Sequence, residues 1–365
     1  MEMKKTFMAV MLACLPLLSE AQSTEIACWK IDGTQMKLTT EESVLKIPDM
    51  VAAVDLRHIG AITLDCASAN PNCLYYTDDA TAVEGLPNAN VVCDGVCDGL
   101  LLTDDTYFYC PIDFTATDAM LRFTPRRDDG YETADFNQPC HETVVLPFDA
   151  DLVIPSDADG PMPNGWLQAA NYSGHEGRML IFSQTGANTL FANTPYMVRF
   201  EYAAYGSQIL FCGQNKTVRK TVRSIHGSDP LYFIGITILN SAATSFFRYY
   251  RGQKQYFISS GENSLLEPFR CFMFCSQPLS SEDGDSIDEV PTGTSWGGQI
   301  LEYTVVDYEG TGINILNHHP SPNTHHPTPN THHPSPKIYD LQGRQQVNGR
   351  KGKGIYIIGG IKVLR

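Results

Sequence analysis

Paired histidines are the residues of this sequence whose type and spacing most clearly permit chemistry. The segment HHPSPNTHHPTPNTHHPSP, residues 318–336, contains six of the ten histidines of the chain. They form three adjacent pairs that repeat every seven residues: His318, His319, His325, His326, His332 and His333. Neutral imidazole is the commonest metal ligand in proteins, so this His-rich repeat can bind zinc or nickel.

The prolines of this segment favour a spacer over a dedicated metal site. They promote an extended polyproline II conformation, which rises ~3.1 Å per residue and holds successive pairs about 22 Å apart. A zinc site needs three or four ligands at about 2.0–2.1 Å, and one pair supplies two. We therefore expect a low-complexity linker with adventitious zinc or nickel binding and no cofactor. A metal-binding surface protein is the alternative.

Groups for nucleophilic catalysis are not arranged in a familiar motif. The sequence has no Gly-x-Ser-x-Gly nucleophile elbow. Cys140 and His141 are adjacent, but neighbouring residues on a strand point to opposite faces, which argues against a dyad. We therefore assign no catalytic residue.

One group of residues has the composition of a sugar site, in which carboxylates lie beside aromatic rings. Its members are Asp149, Asp151, Asp157, Asp159, Trp166 and Tyr172. Two facing carboxylates are what glycoside hydrolysis requires, so a secreted glycan-active hydrolase is an alternative. The surrounding sequence, DADLVIPSDADGPMPNGW, is rich in proline and glycine, and we favour a surface loop.

The N-terminus predicts export. Lys4 and Lys5 precede a short apolar run, residues 6–18, and small residues then allow cleavage near Ala21. A signal peptide, residues 1–21, makes the mature protein secreted or located on the outer-membrane surface. No later apolar run approaches the ~20 residues of a membrane helix, so we expect no transmembrane span. The net charge of −15 argues against a nucleic-acid partner.

Ten cysteines remain after removal of such a leader, an even number that makes disulfides plausible in an exported chain. The run CFMFC places Cys271 and Cys275 on one face of a strand about 13 Å apart, too far for a bridge. The turn within VCDGVCDG leaves a bridge between Cys93 and Cys97 open.

Short alternating runs punctuated by Gly, Asn, Asp and Pro predict an all-β chain. One of them, SFFRYYRGQKQYFIS, predicts a hairpin with Arg251-Gly252-Gln253-Lys254 at its tip. We expect a signal peptide, an N-terminal β region that is a short solenoid or a sandwich, a central antiparallel β-sandwich, a linker and a small C-terminal β module. Their bounds are 1–21, 22–140, 141–316, 317–336 and 337–365.

Two parts of the chain resemble known secreted proteins. The run VDLRHIGAITLDCASANPNCLYYTDD is similar to the last turns of leucine-rich-repeat surface proteins, although no repeat of fixed period is present. The phrases TVVLPFD, ANTPYMVRF, ILFCGQNKTV and EPFRCFMF resemble a β-rich module of Gram-negative proteins that use type IX secretion. The second resemblance covers residues 143–274 and implies a surface location without a known activity.

The C-terminal tail, KIYDLQGRQQVNGRKGKGIYIIGGIKVLR, resembles the C-terminal sorting domain of type IX secretion cargo. The matching positions are Tyr339, Asp340, Gly343, Arg344, Gly354, Ile355, Tyr356, Ile357, Lys362 and Val363. This tail offers only about four strands, fewer than full sorting domains have. The resemblance implies that the secretion machinery is a partner through the tail.

Together these patterns favour a non-catalytic exported β-protein that binds a glycan or a protein. Its delivery would depend on the C-terminal sorting signal, and the identity of the ligand stays open.

Overall fold

The computed structural model describes most of the chain between Thr24 and Val306, and the backbone of four short strands beyond it. The described residues are 24–128, 140–157, 162, 165–186, 189–201, 206–240, 246–251, 255–260, 265–276, 300–306, 313–314, 338–339, 355–358 and 361–364. The chain forms two compact units, Met1–His318 and His319–Arg365.

The described part of the chain is all-β, as predicted. Its helical content is one turn of 3-10 helix, Ala80–Ala82, that begins after the capping side chain of Asp79. The first ten strands are β1 (Glu25–Lys30), β2 (Gln35–Thr39), β3 (Val44–Lys46), β4 (Val51–Asp55), β5 (Ile62–Asp65), β6 (Leu74–Thr77), β7 (Val83–Glu84), β8 (Val91–Cys93), β9 (Val96–Thr103) and β10 (Phe114–Phe123).

Thirteen further strands belong to the same unit, and three form the second. They are β11 (Cys140–Val144), β12 (Leu152–Pro155), β13 (Leu167–Glu176), β14 (Met179–Gln184), β15 (Tyr196–Phe200), β16 (Ile209–Val218), β17 (Ser224–Ser228), β18 (Leu231–Ile236), β19 (Phe246–Arg251), β20 (Gln255–Ser259), β21 (Arg270–Cys275), β22 (Ile300–Val306), β23 (Ile313–Asn314), β24 (Ile338–Tyr339), β25 (Ile355–Ile358) and β26 (Ile361–Leu364).

The N-terminal region contains a short β-solenoid. Strands β3, β5 and β7 form one parallel sheet, and β4, β6 and β8 pair in parallel within another. Val44 pairs with Thr63, and Thr63 with Glu84, so successive coils advance by 19 and then 21 residues. This unequal spacing explains why the sequence shows no fixed repeat.

Buried asparagine amides hold the turns of the solenoid. The side-chain amide of Asn90 donates to the carbonyl oxygens of Pro71 (2.9 Å) and Leu101 (3.0 Å). Its oxygen accepts from the backbone N–H of Leu101 at 2.7 Å. Asn72 makes the equivalent bonds to Thr103 and Thr106. These side chains satisfy backbone groups that the solenoid turns would otherwise bury without partners.

The solenoid continues into a nine-stranded sheet, called the first sheet here. Its order is β12-β16-β10-β9-β8-β6-β4-β1-β2. The long pairing of β10 with β16 runs from Phe114 opposite Val218 to Phe123 opposite Ile209. Since β12 and β16 follow residue 141, the boundary predicted between residues 140 and 141 does not divide the sheets.

The central β-sandwich has two leaves. The middle leaf has the order β11-β15-β13-β14-β22 and the outer leaf β20-β19-β21-β18-β17, and pairing of β20 with β22 joins them. Phe182 lies 5.2 Å from Phe233 and 6.2 Å from Phe257, between ring centroids, in the core between the leaves. Each such buried ring stabilises the fold by about 1.5–3 kcal/mol.

The first sheet packs on the other face of the middle leaf, which makes three layers in all. Phe200 of β15 contacts Phe211 of β16 with 6.3 Å between ring centroids. Because the middle leaf is covered on both faces, every residue of β11 is buried, including His141, Glu142 and Thr143.

No disulfide joins any two of the ten cysteines that the structure describes. Cys93 pairs with Val96 across the β8–β9 turn, so Cys97 points to the opposite face and no bridge joins Cys93 to Cys97. Cys271 and Cys275 are buried on β21 and do not bond to each other, as predicted. Burial also raises the pKa of the Cys28 thiol to about 11, as expected for a packed, unreactive cysteine.

Candidate functional site

Six residues of the predicted sorting motif lie on the three antiparallel strands of the second unit. They are Tyr339 on β24, Ile355, Tyr356 and Ile357 on β25, and Lys362 and Val363 on β26. Strand pairing places Tyr339 opposite Ile357 and Tyr356 opposite Val363. The remaining motif positions and the histidine pairs lie outside the described residues: Asp340, Gly343, Arg344, Gly354, His318, His319, His325, His326, His332 and His333.

The structure does not bring the predicted acid and aromatic group together into a sugar site. Trp166 is buried under the first sheet, where its indole N–H donates to the carbonyl of Val153 at 3.0 Å. Tyr172 lies in the sandwich core. Asp151 forms an ion pair with Lys216 at 2.6 Å, and Asp149 accepts a backbone N–H at 2.7 Å. Asp157 is exposed, and Asp159 lies outside the described residues.

Cys140 and His141 point to opposite faces of β11, as predicted. Cys140 belongs to the core under the first sheet. The Nδ1 atom of His141 contacts Gln255 and lies 3.4 Å from the hydroxyl of Tyr303 in the sandwich. Burial lowers the pKa of His141 to about 4, with a further contribution from the charge of Arg199. At neutral pH this histidine is therefore an uncharged part of the core.

A different set of residues, which the sequence did not indicate, surrounds a cavity of about 350 Å³ at one edge of the sandwich. We call it the arginine–carboxylate pocket. The residues around it include charged side chains from all three layers and two serines: Asp128, Glu142, Arg248, Arg251, Glu267, Arg270, Ser259 and Ser260.

Strand ends position these charges. Glu142 lies on β11 of the middle leaf, Arg251 ends β19 and Arg270 begins β21 of the outer leaf. Asp128 follows β10 of the first sheet, and Glu267 precedes β21. The pocket therefore forms where the edges of three layers meet.

Arg251 is the centre of an ion-pair network. Its two terminal nitrogens bind the carboxylate of Glu267 in a bidentate pair at 3.0 and 3.1 Å. Its Nε lies 3.3 Å from Asp128 Oδ2, and its Nη1 lies 3.5 Å from Glu142 Oε1. The side chain of Arg251 is only 5% exposed, so water screens these pairs weakly.

Arg270 connects the same network to the first sheet. Its Nη2 donates to Asp104 Oδ2 and to the carbonyl of Thr124, both at 2.9 Å. Its Nε lies 3.4 Å from Glu142 Oε2, and its guanidinium stacks 3.7 Å from the ring centroid of Phe123.

The two glutamates of the pocket have pKa values displaced in opposite directions. Burial raises the pKa of Glu142, in opposition to the positive charges of Arg270 and Arg251. Burial also acts on Glu267, but the charge and hydrogen bonds of Arg251 outweigh it and lower the pKa of that carboxyl. Two carboxyls whose pKa values are displaced in opposite directions are typical of acid–base sites.

Arg251 bridges the two glutamates of the pocket. Its Nη1 atom contacts both Glu142 Oε1 and Glu267 Oε2, at 3.5 and 3.0 Å. A substrate would have to displace this buried guanidinium in order to reach both carboxyls.

Several buried polar atoms of the pocket have no hydrogen-bond partner among the described residues. They are the hydroxyls of Ser259 and Ser260 and Nη1 of Arg270. Leaving such a group unsatisfied costs about 1–3 kcal/mol, more when it is charged. The set includes donors and acceptors, and the three arginines and three carboxylates give the lining a net formal charge of zero. The pocket therefore suits an uncharged ligand rich in hydrogen-bonding groups.

No family model, curated protein or solved structure matches this chain. No helix in the described ranges is long and apolar enough to cross a membrane. Within the same ranges, no group of three or more His, Cys, Asp or Glu side chains is arranged to hold a metal ion.

Proposed function

We propose that this chain is an exported, non-catalytic β-protein whose arginine–carboxylate pocket binds a sugar residue of a glycan. The observation that carries the proposal is the set of unpartnered buried polar atoms around the cavity of about 350 Å³. Sugar hydroxyls both donate and accept, so one ring can satisfy Arg270 Nη1 and the two serines. The volume lies at the lower end for small-molecule pockets, which fits one or two sugar units.

A glycan array with the purified chain tests this binding. Replacing Ser259 and Ser260 with alanine should weaken binding of the selected glycan about tenfold, since two hydrogen bonds are lost. The fold should tolerate the change, because neither hydroxyl has a hydrogen-bond partner in the part of the chain that the structure describes. A matched control replaces Ser173 and Ser183, which lie near the surface on β13 and β14. Equal binding by both double variants would contradict the proposal, as would an array on which proteins bind and glycans do not.

Export to the cell surface or the medium is the second part of the proposal. It is supported by the signal-like N-terminus and by the sorting-like tail, whose strands pair with each other in a unit of their own. Deleting residues 337–365 should keep the protein from its normal location. An unchanged location of the deletion variant, together with a wild-type mature form that retains Arg365, would refute a sorting role.

Glycan hydrolysis is a second candidate, and the opposed pKa values of Glu142 and Glu267 favour it. Incubating the chain with polysaccharides and measuring new reducing ends tests this function. Turnover that Glu142→Gln or Glu267→Gln abolishes in a folded variant would replace the binding proposal. Under the binding proposal no turnover is expected.

A further inference from the structure

A second cavity lies on the outer leaf, on the face turned away from the sandwich core. Its volume is about 440 Å³, and its lining includes Asp32, Tyr109, Arg223, Asn240, Phe246 and Phe274. We call it the aromatic cleft. It shares no lining residue with the arginine–carboxylate pocket, so an inference about it does not depend on the function proposed above.

Aromatic side chains form a row across three adjacent strands at this cleft. Phe274 of β21 pairs with Tyr232 of β18 on one side and with Phe246 of β19 on the other. The ring centroids lie 6.3 and 5.1 Å apart, respectively. All three rings are half-buried, so part of each ring is open to a ligand.

An exposed basic segment connects β16 of the first sheet to β17, the edge strand of the outer leaf. Arg219, Lys220 and Arg223 are exposed, and none forms an ion pair with any described residue. Arg223 lines the cleft and directly precedes the edge strand β17. The chain has a net charge of −15, so a group of unpaired cations departs from the rest of its surface.

We propose that the aromatic cleft and this basic segment bind an acidic polysaccharide, of the class that carries uronate carboxylates. The ring faces would pack against the apolar faces of successive sugars, as aromatic side chains do with flat apolar partners. Arg219, Lys220 and Arg223 would pair with the carboxylates, and arginine can do so through two parallel hydrogen bonds. Asn240 and Asp32 supply partners for hydroxyl groups at the cleft wall.

The shape of the site favours a polysaccharide over an acidic protein. A stable protein partner needs a surface of about 800 Å² on each side. Here the apolar part is a concave cleft bordered by a narrow row of rings, which suits an extended polymer.

Calorimetry with the full chain and an oligogalacturonate at low ionic strength tests the proposal. The comparison ligands are a neutral oligosaccharide of similar length and a polyglutamate peptide. Only the uronate oligomer should bind at this site. Its affinity should fall as salt is added, since the Debye length drops from ~30 Å at 0.01 M to ~3 Å at 1 M.

Two variants separate the contributions of charge and rings. The triple variant Arg219→Gln, Lys220→Gln, Arg223→Gln should weaken uronate binding about tenfold or more, from three surface ion pairs. Phe246→Leu keeps an apolar side chain, removes the ring and should weaken binding severalfold. The control, Lys37→Gln, Lys46→Gln, Arg57→Gln, removes the same charge from residues that do not line the cleft and should bind as the wild type does.

Three results would overturn the proposal. The first is no binding of the uronate oligomer at low salt. The second is an equal loss in the control triple variant, which would mean that net charge alone attracts the polymer. The third is polyglutamate binding that matches uronate binding and is unaffected by Phe246→Leu, which would identify the site as one for acidic peptides.

Discussion

Replacement of Arg251 by methionine should destabilise the protein by about 3–5 kcal/mol, because it removes one partner of a buried ion-pair network. Arg251 contacts the carboxylates of Asp128, Glu142 and Glu267, and its side chain is 5% exposed. Methionine fills much of the same volume, so the loss reports the unpaired carboxylates more than a new cavity.

Arg57 provides a matched control at the surface. It forms a bidentate pair with Asp55 at 2.8 and 2.7 Å, but its side chain is 38% exposed. Arg57→Met should cost only about 0–1 kcal/mol, the usual value for an exposed pair. The two variants therefore make the same chemical change in a buried and in an exposed environment.

The stability that Arg251→Met loses relative to the wild type should become smaller as the pH falls. In the wild type, Arg251 holds the pKa of Glu267 below its ordinary value of 4.5, so that contribution to stability is present above pH 4.5 and is lost as the pH falls through the lowered pKa. Without Arg251, burial raises the pKa of the same carboxyl above 4.5, and the penalty grows as the pH rises through the raised value. The difference between wild type and variant should therefore be largest near neutral pH and shrink on acidification.

Urea unfolding of wild type, Arg251→Met and Arg57→Met at neutral and at mildly acidic pH measures both effects. A loss of about 3 kcal/mol would also lower the Tm by roughly 6–12 °C in a domain of this size. Equal losses in the two variants, or a loss for Arg251→Met that does not shrink on acidification, would refute the reasoning.

Asn90→Ala should destabilise the solenoid by about 2–4 kcal/mol in urea unfolding, since three buried hydrogen bonds are lost. The control is Asn88→Ala, which should leave stability unchanged because Asn88 is exposed. In the same assay, Gly85→Ala should lower the free energy of unfolding more than Gly95→Ala does. Both glycines have a positive φ, but only at Gly85 would the new Cβ lie 2.5 Å from a backbone oxygen of β5. Equal losses in either pair would contradict these assignments. Zinc calorimetry should give micromolar or weaker affinity for the full chain and still weaker binding for a chain without residues 318–336. Tighter zinc binding that depends on residues 318–336 would favour a metal-binding role.

The all-β class was predictable because the alternation of apolar and polar residues with a period of two is a local property of the sequence. The solenoid was harder to recognise, since its coils advance by unequal numbers of residues. The sequence favoured a surface loop over a sugar site near Trp166 and Tyr172, and these two rings belong to different cores. Trp166 precedes β13 and packs under the first sheet, whereas Tyr172 on that strand faces the sandwich core.

The arginine–carboxylate pocket joins residues that are far apart in the chain, from Asp128 to Arg270, and no local pattern relates them. One signal was present. The runs FFRYYR and RCFMFC place Arg251 and Arg270 within strands rich in aromatic and apolar residues, where an unpaired buried charge is costly. The sequence predicted Arg251 at the tip of a hairpin, and its burial depends on carboxylates that other layers supply.

The joining of the two leaves by β22 also determines when the sandwich can close. This strand pairs with β14 in the middle leaf and with β20 in the outer leaf, and it places Leu301 and Tyr303 in the shared core. A chain that emerges from its N-terminus, at ~5–20 residues per second during synthesis, presents residues 300–306 after every other strand of the two leaves. If the chain is exported as proposed, this order would delay closure of the sandwich core until residues 300–306 have crossed the membrane.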